Sequence, residues 1–89
     1  VAEANLSFSE ALNRLKNREK VCRAGWNGKG MWLKLIPFMD WTVTDDHIVD
    51  VDGLRGLPWI GMKTADDCFV PWLASQTDML AEDWMVCRG

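Results

Sequence analysis

No tyrosine occurs among these 89 residues, histidine occurs once, and no unbroken apolar run approaches the ~18–20 residues that cross a bilayer. Each shortage removes a class of function. A lone His47 cannot supply a zinc site of several imidazoles or a repeated Glu-x-x-His metal centre. A catalytic triad would have to use that same residue, which sits in an acidic segment, and no serine lies in a Gly-x-Ser-x-Gly elbow. The expectation is therefore a protein with no catalytic residue, no metal, no cofactor and no membrane span. The three cysteines, Cys22, Cys68 and Cys87, are odd in number and widely spaced, so they make neither a complete disulfide framework nor a Cys-x-x-Cys motif. They are expected to be reduced and buried. No charged-then-apolar leader opens the sequence, and the cytoplasm is the expected compartment.

Positive charge is also scarce. Ten Lys and Arg against thirteen Asp and Glu give a formal net charge of -3, which opposes binding to duplex nucleic acid. Any phosphate site has to be local. The glycine-rich stretch 25–30, Gly-Trp-Asn-Gly-Lys-Gly, lacks P-loop spacing, and an apolar strand is expected after it where a P-loop needs a helix. A loop whose glycines supply positive φ is the simpler reading. Between residues 45 and 53, Asp50, Asp52 and Gly53 match positions three, five and six of a calcium loop. Ile48 and Trp59 would then fill positions one and twelve, which need acidic oxygens, so no metal is assigned.

What the chain has instead is tryptophan, six in all, with three phenylalanines. Three of the tryptophans, Trp59, Trp72 and Trp84, lie in the stretch 58–84 among Lys63, Thr64, Ser75, Gln76, Thr77 and Asp78. Rigid aromatic faces beside short polar side chains suit a flat heteroaromatic ligand bearing hydroxyls or phosphates. The same residues suit a small core or a subunit interface equally well. Trp59 and Trp84 are assigned to core or interface. Chains this short make one domain and bury a modest share of their surface, so oligomerisation is the expected second stabiliser.

The pattern predicts an α+β fold, with an N-terminal helix packed on a small antiparallel sheet and a short helix before the last strand. Ser7 and Glu10 form a capping box for a helix over residues 8–18, in which Phe8, Ala11, Leu12 and Leu15 make one apolar stripe. Residues 20–24 and 31–36 read as an antiparallel pair of strands. Residues 58–63 and 68–70 read as a hairpin about a turn at 65–67, halted by Pro71. A helix over 75–81 with Ser75 as N-cap and a strand over 84–87 close the domain. Glu82 and Asp83 read as solvated neighbours at a surface turn.

Residues 25–31 (GWNGKGM), 62–66 (MKTAD), 70–78 (VPWLASQTD) and 80–84 (LAEDW), with Phe8, Ala11, Leu12, Lys20, Val21 and Arg23, closely resemble the phage Thoeris anti-defence protein 2 family. The resemblance reaches both ends and leaves about residues 37–57 unmatched. It implies a single small α+β domain, 1–89, that assembles as a homotetramer in the cytoplasm of the infected host. It further implies sequestration, without cleavage, of the cyclic ADP-ribose isomers made by TIR-domain immune enzymes. Some relatives also hold cyclic di- or trinucleotides at a second site. The implied ligand residues are Phe8, Trp26, Asn27, Trp72, Ser75, Gln76, Thr77 and Asp78, with Trp26, Trp72 and Phe8 stacking on adenine, and Asn27 and residues 75–78 as a polar rim. Asp67 departs from the family, which usually turns with Gly there. A protein-inhibiting Trp-rich surface and a hydrolase of nucleotide signals are the competing classes.

Overall fold

The computed structural model describes residues 3–26, 30–37 and 57–87. The acidic segment with His47, Trp41 and the possible strand near residues 48–52, and Asn27 in the glycine-rich loop, lie outside the described residues.

Helix α1 (Phe8–Lys16) starts where the capping box predicts. The Ser7 amide donates to Glu10 Oε1 at 2.8 Å and the Glu10 amide to Ser7 Oγ at 3.2 Å, so two orphan donors are satisfied reciprocally. The helix stops about two residues earlier than the pattern alone predicts. Arg18 takes a left-handed φ of 67°, and the amides of Arg18 and Glu19 bond the carbonyls of Leu15 and Arg14, which is a Schellman closure. Arg14 reaches across that cap to both oxygens of Glu19 at 3.1 and 3.2 Å.

Among the described residues five antiparallel strands follow: β1 (Val21–Arg23), β2 (Trp32–Ile36), β3 (Trp59–Lys63), β4 (Phe69–Pro71) and β5 (Trp84–Val86), in the spatial order β4-β3-β2-β1-β5. The anticipated β1 and β2 pair registers only at Val21↔Leu33, whereas β1 pairs at three positions with β5. The chain after Arg23 leaves the sheet through one 3-10 turn, Ala24–Trp26, which cuts the expected strand short. Pro71 also differs from expectation. It ends no strand from outside but is the last residue of β4, opposite Gly61, and an edge strand tolerates its missing N–H.

Alternation along the strands sends Val21, Leu33, Trp84 and Val86 to the face that α1 covers. With Leu6, Ala11 and Leu15 they form the core, and the apolar stripe of α1 supplies its helical side. Helix α2 (Gln76–Leu80) is capped by Ser75 as predicted. The outer edge of β5 is closed by the N-terminal segment. Leu6 and Trp84 exchange backbone bonds of 2.9 and 3.1 Å, and the Val86 amide bonds Glu3 O at 2.8 Å. On the other face, the Phe69 ring lies over Gly61, and a side chain there would push that ring aside. The cysteines are a correction: Cys22 and Cys87 are half-buried and Cys68 is exposed at the β3-to-β4 turn, while all three are free thiols.

Candidate functional site

Trp84 is fully buried at the start of β5, opposite Arg23 in the strand register. Its indole Nε1–H donates to the Asp78 carbonyl at 3.0 Å, which fixes the ring plane and satisfies its one polar atom. Three other rings surround it. Phe8 is tilted at a centroid distance of 5.5 Å, while Trp26 and Trp72 meet it edge-on at 5.6 and 6.0 Å. Phe8 and Trp72 also touch, at 6.2 Å. Offset and edge-on pairs of this kind each add about 0.5–1.5 kcal/mol beyond area burial. Unlike Trp84, the other three rings are half-buried, so each keeps accessible aromatic surface around a rigid centre.

Local structure places each ring. Phe8 is the first residue of α1, directly after its capping serine. Trp72 follows Pro71 at the end of β4, and its amide bonds Ile60 O at 3.0 Å. Trp26 ends the 3-10 turn, which Asp83 holds from below through Ala24 N to Asp83 O at 3.0 Å and Gly25 N to Asp83 Oδ2 at 2.8 Å. A Cβ on Gly25 would sit 3.0 Å from that same oxygen, so the turn closes most easily on glycine.

The polar side of the cluster is a charge network centred on Arg23. Its Nη1 donates to Asp78 Oδ1 and its Nε to Asp83 Oδ1, both at 2.9 Å. Asp78 Oδ2 accepts from the amide and hydroxyl of Ser75 at 3.0 and 2.8 Å, and the Asp78 amide returns a bond to Ser75 Oγ at 3.1 Å. Burial pushes the Asp78 carboxyl upward, but the Ser75 and Arg23 hydrogen bonds outweigh it and leave the group below the usual carboxylate range. Arg23 likewise holds Asp83 below that range. Both acids are therefore charged at neutral pH.

Of the residues singled out in the sequence, the fold brings Phe8, Trp26 and Trp72 together around Trp84, with Ser75 and Asp78 joined to one another at the adjoining cap of α2. Gln76 and Thr77 are exposed on the first turn of α2. Asp78 is less open than its expected place on the rim implies, since both carboxylate oxygens already accept bonds. Asp83 is a correction: it is not merely solvated but holds Arg23 and the Gly25 amide. Lys63 serves elsewhere, bonding Gly30 O at 3.0 Å and pairing with Asp67 at 2.8 Å at the opposite end of its strand. Arg23 was missed as a site residue. Its sequence signal was present, because strand alternation puts it on the core side with Val21, where a charge needs carboxylate partners.

The profile of the Thoeris anti-defense 2-like domain matches residues 6–87 of this chain. A curated relative, "Thoeris anti-defense 2" of Bacillus phage SP01, is 40% identical over 86 residues, covering 92% of this chain and 94% of the relative.

Proposed function

The chain belongs to the Thoeris anti-defense 2-like family, whose role is phage counter-defence against Thoeris, and from that premise we propose that it acts by binding and sequestering a cyclic ADP-ribose isomer without cleaving it. The observation that carries this reading is the ring cluster. Phe8, Trp26 and Trp72 keep open aromatic surface while a buried Trp84 fixes their spacing. An adenine stacked on such a surface gains roughly 1–3 kcal/mol per aromatic contact. The exposed side chains of Gln76 and Thr77, with Asn27 as the family resemblance implies, supply short hydrogen-bond partners for ribose hydroxyls and phosphates, while Ser75 and Asp78 hold the cap in place. The Ser75 hydroxyl that donates to Asp78 Oδ2 at 2.8 Å also accepts from the Asp78 amide, so it is engaged in the α2 capping box, which fits a rim that binds better than a nucleophile that attacks.

Self-assembly is part of the proposal. Leu73 is 91% exposed and Leu80 78% exposed, one beside Trp72 and the other at the end of α2. Apolar side chains so open beside a shallow ring cluster fit an interface between copies, a homotetramer in which a neighbouring subunit closes over the ligand. Cyclic di- and trinucleotides are secondary ligands in this reading, and the cytoplasm of the infected host is where capture takes place. The same exposed leucines also fit a surface that inhibits a host protein. Calorimetric titration with cyclic ADP-ribose isomers, then heat release and chromatography, separates the three classes. Capture returns the ligand intact, hydrolysis returns a product, and a protein-inhibiting surface binds none of them.

A further inference from the structure

Away from the ring cluster, the sheet face opposite α1 carries a pair of thiols. Val21 and Val86 face each other and point into the core, so Cys22, Met85 and Cys87 share the other face of β1 and β5. Cys22 stands directly opposite Met85. Cys87 stands opposite Lys20, whose carbonyl accepts the Cys87 amide at 2.8 Å. The two cysteines are thus diagonal neighbours on one face of the sheet, both half-buried and both free. Burial, with Cys87 adding to it, pushes the Cys22 thiol up to about 11, so Cys22 is protonated at neutral pH. Among the described residues, Lys20 stands beside the pair opposite Cys87, its ammonium 4.3 Å from the Trp32 ring centroid.

Geometry decides between the uses of two neighbouring thiols. Diagonal positions on an antiparallel pair lie roughly 7–8 Å apart, beyond the about 4.4–6.8 Å over which a disulfide joins two α-carbons. A direct bond would drag the strands together. One ion seated between the sulfurs needs no such movement. Tetrahedral zinc requires four ligands, and among the described residues no group of three or more His, Cys, Asp or Glu could hold a metal. A soft cation content with two sulfurs, with a thioether opposite, is what remains.

We propose that Cys22 and Cys87 form a two-thiolate site for a soft monovalent cation, copper(I) or silver(I), bridging β1 and β5. Binding breaks both S–H bonds, sends two protons to solvent and forms two sulfur–metal bonds, with no electron transferred. The ion then links the strand that carries Arg23 to the strand that carries Trp84.

Silver nitrate titration of the reduced protein, read by native mass spectrometry and by maleimide labelling, tests the site. One equivalent of silver is expected to protect Cys22 and Cys87 together, leaving Cys68 reactive. Cys68→Ser is expected to keep the tight ion, whereas Cys22→Ser or Cys87→Ser weakens it by roughly a hundredfold, the loss of a second ligand held at high effective concentration. Protection confined to Cys68, or undiminished silver affinity in both Cys22→Ser and Cys87→Ser, would overturn the assignment. So would ready closure of a Cys22–Cys87 disulfide with diamide. Because labelling is read on the unsubstituted chain, the test stands even where a serine variant fails to fold.

Discussion

Arg23 on β1 and Asp78 in the first turn of α2 are 55 residues apart in the chain and 2.9 Å apart in space. That contact joins the two halves of the candidate site. From the same guanidinium, Asp83 leads to the Gly25 amide and the turn bearing Trp26, while Asp78 leads to Ser75 and, through its carbonyl, to the Trp84 indole.

Replacing Arg23 with Met is therefore expected to destabilise the fold by about 1–3 kcal/mol, since it leaves partly buried carboxylates without their charged donor. Chemical denaturation measures the loss. The substitution is also expected to weaken nucleotide binding in protein that is still folded, because the Trp26 turn and the α2 cap lose their common anchor.

Acid should act through the same pair. Arg23 and Ser75 hold Asp78 and Asp83 below the ordinary carboxylate range, so their contribution is complete above about pH 4 and is lost as pH falls through the depressed native values. Stability is expected to be level from these groups between about pH 5 and 8 and to fall below about pH 4. Arg23→Met should flatten that acid limb, as thermal denaturation across the pH range would reveal.

Asp67→Gly is expected to stabilise the protein. Asp67 sits at φ 65° in the β3-to-β4 turn, a conformation that costs an L-residue roughly 1 kcal/mol and costs glycine little. The lost partner, the Lys63 pair, is 82% exposed on the Asp67 side and contributes little. A higher denaturation midpoint in the glycine variant supports this account, and a lower one shows that the Lys63 contact outweighs the strain.

These particulars mark what the sequence made legible. Both helix caps, the capping box at Ser7 and the N-cap at Ser75, were readable because a cap is a local device completed within four residues. The hairpin around residues 65–67 was readable for the same reason, and the departure at Asp67 was visible as a residue where glycine is usual. The pairing of β1 with β5 was not, since it joins Val21 to Val86 across most of the chain and no local pattern encodes it. Arg23 and Asp83 escaped for that reason too: their meaning arises only when β5 lies beside β1. Trp84 was assigned to core or interface and is core, yet its position at the centre of Phe8, Trp26 and Trp72 depended on the full sheet order.

Trp72→Ala and Trp26→Ala are each expected to weaken ligand binding about tenfold or more, the worth of one stacking contact. Both rings are half-buried against Trp84, so circular dichroism and a melting curve must accompany the titration. Full affinity in a folded variant removes that ring from the site. Trp84→Phe serves as the contrast: it is expected to lower stability first, through the lost bond to the Asp78 carbonyl and the space left in the core.

The central claim is that the protein captures a cyclic ADP-ribose signal and keeps it whole. Calorimetric titration of the purified protein with cyclic ADP-ribose isomers, followed by heat denaturation and chromatography of what is released, tests it most directly. The account predicts saturable tight binding to at least one isomer and recovery of that isomer unchanged. Absence of binding to every isomer, or recovery of a cleaved product, would contradict it.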